Sequence, residues 1–398
     1  MKTLQNIKLN NKNIIFRADL NVPVVDGKIT DYSRIDSIIP SIKQLIKDKN
    51  KIFIISHYGR PKGKPNKKFS LNFLCKELIK RLNITKIHFL DTFHKELIKQ
   101  KQYEMQDGDI CLLENIRFNE GEEINDLIFS KNLASNFDFF VNDAFSASHR
   151  NHSSIIGLPN FLPSLAGISF INEINNLEYF LDKAKKPNLA IIGGSKISTK
   201  INVIYNLINL FDSIVIGGAM ANTFLLSNNI AVGKSLLEKD FLEVAKDIQK
   251  KAKSKNCKIV LPVDVVCAKN IEDKSGIRMC DVRNVYDEHM ILDVGEKTTN
   301  LIFKEICKTK SVLWNGPLGA FEYKPFDKSS IKIANSIKKN SIDLKIDTMG
   351  GGGDTLSVIN LANAHDGFNY LSNAGGAFLE WLEGNKSPGF IALEKNNF

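Results

Sequence analysis

The sequence predicts an α/β fold made of two doubly wound parallel-sheet domains joined by a helical hinge. Short apolar runs recur along the 398 residues, and each run is followed by a polar or glycine-rich turn. Amphipathic stretches with apolar residues at helical spacing, such as residues 71–82 and 328–339, lie between the runs. The pattern occurs in both halves of the chain, which predicts two parallel sheets that are covered by helices on both faces.

The apolar runs define the predicted strands in order. In the first half they span residues 13–16 before RADLN, 52–55 before SHYGRPKG, 110–113 before ENIRF and 139–141 before NDAFSASHR. In the second half they span residues 189–192, 214–216, 258–261, 312–314 and 347–349, and most of them end at glycines. Between the two sets, a helical stretch ends at Lys185-Lys186-Pro187, which predicts a helical connector.

Charge and cysteine content limit the function classes. The chain carries 54 Lys+Arg against 44 Asp+Glu, a net charge of +10, which suits nucleic acid, a membrane surface or a polyanionic small substrate. The lysines are scattered, and basic and aromatic residues do not interleave as they do on surfaces that bind single strands. No C-x-x-C pair, secretory h-region or bilayer-length apolar run is present. We therefore expect a cytoplasmic protein that binds neither nucleic acid nor a membrane.

Arginines follow the predicted strands of the first half, whereas lysine supplies most of the scattered charge. In doubly wound folds, ligands bind beyond the carboxyl ends of the strands. Guanidinium groups match phosphate and carboxylate oxygens with two parallel hydrogen bonds, so the pattern predicts an anion site. The alternative is that each arginine pairs with a nearby carboxylate. The residues at these positions are Arg17, Asp19, Asn21, Arg34, His57, Arg60, Arg117, Asn142, Asp143, His149 and Arg150.

Glycine-rich turns follow the strands of the second half, at residues 193–196, 217–220, 316–317 and 350–355. Glycine lets the backbone approach a ligand closely, and a helix that starts after such a turn points its amides at an anion. Asp354 would lie at such a helix start, where Mg²⁺ bridging phosphates is held. Lys196 and Lys200 are four residues apart, so we expect them on one helix face. These features predict a magnesium–nucleotide site.

Several other enzyme classes are disfavoured. The chain has no P-loop motif, no protein-kinase motif and no dinucleotide fingerprint. His149 and His152 have metal-ligand spacing but no evident third ligand. Two alternatives stay open at this point: a two-domain dehydrogenase, which NADH titration would reveal, and a basic binding protein, whose affinity would fall steeply with salt.

Ten segments of the chain resemble the phosphoglycerate kinase family, and they occur in the family's order between about residue 13 and residue 390. They are RADLNVPVVDGKITDYSRI, SHYGRPKG, LLENIRF, VNDAFSASHRNHSS, IIGGSKISTKI, IGGAMANTFL, LPVDVV, LWNGPLGAFE, GGGDT and AGGAFLEWLEGNKSPG. The resemblance implies a monomeric glycolytic enzyme with two Rossmann-like domains that close on a hinge. It implies reversible phosphoryl transfer between 1,3-bisphosphoglycerate and ADP, giving 3-phosphoglycerate and ATP, with Mg²⁺ as cofactor.

The resemblance also implies roles for individual residues. Arg34, Lys196, Lys200 and Gly353 would be catalytic, and Asp354 would bind the metal. The residues implied to bind 3-phosphoglycerate are Asp19, Asn21, Arg34, His57, Arg60, Arg117 and Arg150. Those implied to bind the nucleotide are Gly194, Ser195, Lys196, Lys200, Gly218, Asn315, Pro317, Glu322, Gly352, Gly353, Asp354 and Thr355.

The expected domains follow from these assignments. We expect residues 1–167 to bind 3-phosphoglycerate, residues 168–186 to form the hinge helix and residues 187–385 to bind the nucleotide. The C-terminal tail, residues 386–398, is expected to pack on the N-terminal domain.

Overall fold

The structure, a computed structural model, describes residues 1–272 and 276–396. The chain divides into two compact units, the first made of Met1–Asn175 and the segment from Lys386, the second of Asn176–Asn385. Residues 273–275 of the expected nucleotide-binding domain and residues 397–398 of the expected tail lie outside the described residues. The predicted domain limits and the hinge role of residues 168–186 stay predictions.

The first unit contains a parallel sheet with strand order β5-β6-β4-β1-β7-β8 and a short hairpin, β2-β3. Its elements are β1 (Asn13–Arg17), β2 (Val24–Val25), β3 (Lys28–Ile29), α1 (Ser33–Lys47), β4 (Lys51–Ile55), α2 (Leu74–Leu82), β5 (His88–Leu90), α3 (Lys95–Glu104), β6 (Ile110–Leu113), α4 (Glu120–Glu123), α5 (Leu127–Ala134), β7 (Phe139–Asn142), β8 (Ser164–Ala166) and α6 (Ile168–Glu178), whose last three residues belong to the second unit.

Both faces of this sheet are buried, because successive side chains of a strand point to opposite faces. Ile14 and Phe16 of β1 belong to one apolar cluster, with α1 and α2, while Ile15 belongs to another, with α3 and α5. Strand β1 pairs in parallel with β4 on one side and with β7 on the other. The carboxyl ends of these central strands therefore lie side by side.

The second unit contains a parallel sheet with order β11-β10-β9-β15-β16-β17 and an antiparallel sheet with order β13-β12-β14. Its elements are β9 (Asn188–Ile192), α7 (Ile201–Leu207), β10 (Ser213–Ile216), α8 (Met220–Ser227), α9 (Leu242–Ser254), β11 (Lys258–Val260), β12 (Asp264–Ala268), β13 (Arg278–Asp281), β14 (Met290–Val294), α10 (Glu296–Lys308), β15 (Ser311–Asn315), α11 (Lys328–Leu344), β16 (Asp347–Gly351), α12 (Gly353–Leu361), β17 (Tyr370–Ser372) and α13 (Gly376–Leu382).

The last helix, α14 (Pro388–Lys395), belongs to the first unit. The Ser387 hydroxyl accepts the Phe390 amide at its start, as an N-cap does. The Gly389 amide donates to the Ser148 carbonyl at 2.8 Å, and Asn396 donates to the Leu162 carbonyl at 3.0 Å. The end of the chain is thereby joined to the loops that follow β7.

The predicted fold class is confirmed: both main sheets are parallel, helices flank them, and every strand predicted from the apolar runs is present. The antiparallel sheet β13-β12-β14 was not predicted from the sequence. None of the helices formed by the described residues is long and apolar enough to cross a membrane.

Candidate functional site

The turn after β1 brings Asp19, Asn21 and Arg34 together. Arg34 Nη1 lies 2.8 Å from Asp19 Oδ2 and donates to the Asn21 carbonyl at 3.0 Å. Asp19 is buried and also accepts the Ser146 hydroxyl and, at 3.1 Å, the Asn21 amide. Its burial alone would raise its pKa, but Arg34, His57 and these hydrogen bonds outweigh burial and lower the pKa to about 2. Asp19 is therefore an ionised anchor for Arg34.

The loop after β4 is held to its neighbours on both sides. The Gly59 amide donates to Asn21 Oδ1 at 2.9 Å, and the Gly59 carbonyl accepts Arg117 Nη1 at 2.8 Å. Arg60 follows directly and is exposed, so its guanidinium is open to a ligand. The contacts at Gly59 therefore fix the backbone position from which the Arg60 side chain extends.

Burial and neighbouring positive charges lower the pKa values of Arg150 and His57, which lie close to these loops. Arg150 is partly buried, and burial lowers its pKa, with Arg60 lowering it further. His57 is buried, and burial together with the neighbouring Arg17 lowers its pKa to about 3, against the opposing pull of Asp19. His57 is therefore uncharged at neutral pH.

The predicted N-terminal site residues thus form one cluster at the carboxyl ends of β1, β4, β6 and β7. The alternative, that the arginines pair with nearby carboxylates, holds for two of them. Arg34 pairs with Asp19, and Arg117 Nε lies 3.1 Å from Glu123 Oε1. One carboxylate of the cluster, Asp19, faces the charges of Arg34 and Arg150, and Arg60 adds a further positive charge beside Arg150. We define this set, Asp19, Asn21, Arg34, His57, Arg60, Arg117 and Arg150, as the arginine cluster. Its chemistry suits a small anion with phosphate or carboxylate groups.

Of Asn142, Asp143 and His149, also singled out at strand ends, only His149 has a side-chain hydrogen bond to a residue of the arginine cluster. Asn142 and Asp143 are buried, and Asp143 accepts the Phe170 amide at 2.9 Å. His149 Nε2 accepts Arg150 Nε at 3.3 Å. Within the described residues, no group of three or more His, Cys, Asp or Glu side chains could hold a metal, so His149 and His152 have no third ligand of those types there.

In the second unit, Asn315 at the end of β15 hydrogen-bonds to two of the glycine-rich turns and directly precedes a third, residues 316–317. Its side chain donates to the Gly351 carbonyl at 2.7 Å and accepts Lys200 Nζ, and its carbonyl accepts the Gly193 amide at 2.9 Å. Nearby, buried Thr355 accepts the Gly316 amide at 2.7 Å. Asn315 and Thr355 thus fix the turns that surround the predicted phosphate site.

The expectation that Lys196 and Lys200 share a helix face is wrong. Helix α7 begins only at Ile201, Lys200 stands at its N-cap, and Lys196 lies in the preceding turn. The Ser198 amide and hydroxyl both donate to Glu238, at 2.9 and 2.7 Å, and this contact turns the backbone before the helix starts. Lys196 is consequently exposed, whereas Lys200 is buried.

The pKa of Lys200 is lower than that of an ordinary lysine. Burial lowers its pKa to about 8, against Asp354 and Glu383, which raise it. A phosphate ligand would raise this pKa again, because an anion nearby favours the ammonium.

A cavity of about 410 Å³ lies beside this site, between the parallel sheet and β14. Its volume falls in the range of roughly 300–1,000 Å³ that small-molecule sites occupy. Six predicted nucleotide-binding residues line it: Gly194, Ser195, Gly218, Pro317, Glu322 and Asp354. Apolar side chains that sequence reasoning missed form much of the remaining wall: Leu236, Met290, Leu292, Leu318 and Phe321. Such a wall suits a flat, apolar ring system.

Gly218 is required at the cavity wall. Its φ of +67° is rarely adopted by L side chains, and a Cβ there would lie 2.5 Å from the Gly194 carbonyl oxygen. Gly194 and Gly218 therefore pack backbone against backbone.

The residues present fit a magnesium ion that is shared with a nucleotide. Asp354 is exposed in the first turn of α12, immediately after Gly352 and Gly353. Mg²⁺ is usually held by one or two carboxylates together with substrate phosphates and water, so a single carboxylate at a phosphate site is a sufficient protein contribution.

A candidate anion site lined by arginines and a glycine-lined cavity beside a buried lysine, each at the carboxyl edge of a parallel sheet, are typical of one class: two-unit α/β proteins that bind phosphorylated ligands. The comparisons with known proteins specify the family. A family model described as phosphoglycerate kinase matches residues 4–385. The chain belongs to the phosphoglycerate kinase family.

Relatives and solved structures agree with this assignment along the whole chain. The chain is 44% identical over 395 residues to a phosphoglycerate kinase of Chelativorans sp. (strain BNC1), covering 99% of each chain. It is 43% identical over 394 residues to that of Brucella abortus biovar 1 (strain 9-941), again covering 99% of each. The phosphoglycerate kinase structure from Coxiella burnetii superposes with a TM-score of 0.89 at 36% identity, covering 99% of this chain and 98% of that chain.

Proposed function

We propose that this chain catalyses reversible phosphoryl transfer between 1,3-bisphosphoglycerate and ADP, giving 3-phosphoglycerate and ATP. The observation that carries the proposal is the pairing of two different anion sites in one chain of this family. The arginine cluster would bind 3-phosphoglycerate, and the cavity together with the neighbouring Lys200 would bind the nucleotide. The proposal includes a monomer, as the family resemblance implies, and a cytoplasmic location, as the composition and motifs led us to expect.

The acceptor in the direction that consumes ATP is the carboxylate of 3-phosphoglycerate, which is already ionised at neutral pH. No general base is needed, in keeping with a His57 whose pKa is lowered to about 3. The protein has to position the reactants and offset charge in the transition state. We assign the charge-offsetting role to Arg34, Lys196 and Lys200, and phosphate binding to the amides around Gly352 and Gly353.

The roles of the remaining residues follow from their chemistry. Asp19 would hold Arg34 in place, while Arg60, Arg117 and Arg150 would bind the phosphate and carboxylate oxygens of 3-phosphoglycerate. Gly194, Ser195, Gly218, Pro317 and Glu322 would contact adenine and ribose. Asn315 and Thr355 would fix the phosphate-binding turns. Asp354 would hold Mg²⁺, which when bound neutralises phosphate charge.

Transfer requires that the two bound substrates meet in a place that water does not reach, since an acyl phosphate otherwise hydrolyses. We therefore propose that the two units approach each other during turnover and that this step contributes to kcat.

A direct test is ATP formation from ADP and 1,3-bisphosphoglycerate generated in the reaction mixture. We expect ATP to form only when ADP, Mg²⁺ and the acyl phosphate are all present. We also expect the enzyme not to accelerate loss of the acyl phosphate when ADP is omitted. ADP-independent hydrolysis at a comparable rate would contradict the proposal, because it would show an acyl phosphatase instead of a transferase.

A further inference from the structure

The side chain of Arg17, at the end of β1, lies fully inside the protein beneath the arginine cluster. Only 1% of the residue is exposed, so it cannot take a substrate oxygen directly. All three of its side-chain nitrogens have protein partners: Nε donates to the Ser154 hydroxyl at 2.9 Å, Nη1 donates to the Ala18 carbonyl, and Nη2 lies 3.2 Å from His57 Nδ1. Arg17 therefore acts on other residues of the site.

The chemistry of the Arg17–His57 contact selects one state of the imidazole. A guanidinium has donors but no acceptor, so His57 Nδ1 must be the acceptor of this hydrogen bond. The single proton of the neutral ring is then on Nε2. A protonated ring would instead bring an Nδ1–H and a second positive charge against Arg17 at 3.2 Å, which is unfavourable.

His57 Nε2 is the ring nitrogen left for a ligand. Of the two ring nitrogens of His57, only Nδ1 has a hydrogen-bond partner among the described residues. Nε2 is not among the fully buried nitrogens that lack a partner. The charged groups that act on His57 are Arg17, Arg150, Arg34 and Asp19, and only Asp19 favours the imidazolium. The ring therefore offers an uncharged N–H donor inside an otherwise cationic cluster.

Arg17 is itself held by a buried acidic partner. The Ser154 hydroxyl that accepts Arg17 Nε donates to Glu122 Oε1 at 2.6 Å, and Glu122 Oε2 accepts the Ser154 amide at 2.9 Å. Glu122 is fully buried. The serine thus links the two buried charges, and the link fixes the position of the guanidinium.

We propose that Arg17 is a positioning residue that keeps His57 in the Nε2–H tautomer, so that Nε2–H donates to an anionic oxygen of the acceptor substrate. The inference rests on the proposed function for the identity of that substrate, 3-phosphoglycerate. The tautomer itself does not depend on the reaction.

The test is nitrogen-15 NMR of the full chain labelled at histidine, with the His57→Gln variant used to assign the signals. We expect a single Nε2–H tautomer for His57, without titration between pH 5 and pH 8, and a shift of the Nε2–H signal when 3-phosphoglycerate is added. An Nδ1–H tautomer, or titration within that range, would overturn the proposal on the unmodified protein, without any replacement of Arg17 or Glu122.

Variants separate positioning from general structural support. Arg17→Met combined with Glu122→Gln removes both buried charges at once, and Glu122→Gln alone is the matched control that keeps Arg17. We expect the control to retain the wild-type tautomer. In the double variant we expect mixed tautomers and a KM for 3-phosphoglycerate raised roughly tenfold over the control, since one hydrogen bond to a charged group is lost.

Two outcomes in the double variant would refute the positioning role: an unchanged tautomer, or mixed tautomers with an unchanged KM. Failure of the proposed function is distinguishable from failure of this inference. The ligand-free spectrum of the wild-type protein reports the His57 tautomer even if the protein has no transferase activity.

Discussion

Arg34 Nη1 lies 2.8 Å from Asp19 Oδ2, and Asp19 is itself held by Ser146 and by the Asn21 amide. An ionised, buried carboxylate thus fixes a guanidinium whose side chain is still 28% exposed. A side chain ordered in advance loses less entropy when it binds a ligand or a transition state. Among the residues of the first unit, we therefore expect catalysis to depend most on Arg34, which Asp19 holds in place.

Arg34→Ala should lower kcat roughly 10³-fold, by analogy with the loss of arginines that stabilise phosphoryl transfer. Arg34→Lys should recover part of the rate, because it keeps the charge but not the planar fork. Steady-state kinetics with both substrates varied will measure this. A loss of less than about tenfold in Arg34→Ala would remove Arg34 from the transition-state role.

Arg60→Ala should raise the KM for 3-phosphoglycerate by roughly tenfold while leaving kcat within a few-fold of wild type, because this exposed arginine would bind the remote phosphate. Lys64→Ala is the matched control, since it removes the same charge from the same exposed loop. Equal KM values for the two variants would show that Arg60 contributes only general positive charge.

The pKa of Lys200, lowered to about 8, predicts a pH dependence for nucleotide use. Lys200 is charged below that pH and neutral above it, so kcat/KM for ADP should fall as the pH rises through about 8. Lys200→Arg, which stays charged, should lower the rate but remove this decline. A wild-type profile that is flat between pH 7 and pH 9.5 would contradict the assignment.

Asp293, in the cavity wall, predicts a pH dependence of stability. Burial raises its pKa from 3.8 to about 7, despite hydrogen bonds from Ser329 and the Val294 amide. The folded chain then binds more protons than the unfolded chain between these values, so this group lowers the free energy of unfolding as the pH rises from about 4 to about 7. Asp293→Asn should flatten that decline in urea unfolding midpoints, whereas the exposed control Asp287→Asn should not. Equal slopes in the two variants would contradict the raised pKa.

The central strands were predictable because their physical cause is local. In β1 and β4 every residue after the first is buried, so both strands show up in the sequence as continuous apolar runs. Strand β5 is only three residues long and partly buried throughout, and it gives no such run. In the antiparallel sheet, β13 has no buried residue and β14 is buried only over its last three residues, so neither strand gives a buried apolar run of the kind that predicted the parallel strands.

Tertiary contacts account for what the sequence could not show of the candidate site. The spacing of Lys196 and Lys200 suggested a helix, but Glu238, forty residues beyond Ser198, turns that segment away from helical geometry. Arg17 stood among the strand-end residues, yet only the structure shows that it is buried against His57 and Ser154. Motifs predicted the residues of the candidate site, and packing determines which of them a ligand could reach.

The measurement that tests the central claim most directly is ATP consumption that depends on 3-phosphoglycerate and Mg²⁺, with formation of 1,3-bisphosphoglycerate coupled to NADH oxidation. We predict turnover by the wild-type chain that stops when either 3-phosphoglycerate or Mg²⁺ is omitted and that is nearly abolished in Arg34→Ala. ATP consumption that does not need 3-phosphoglycerate, or no turnover although both substrates bind, would contradict the account.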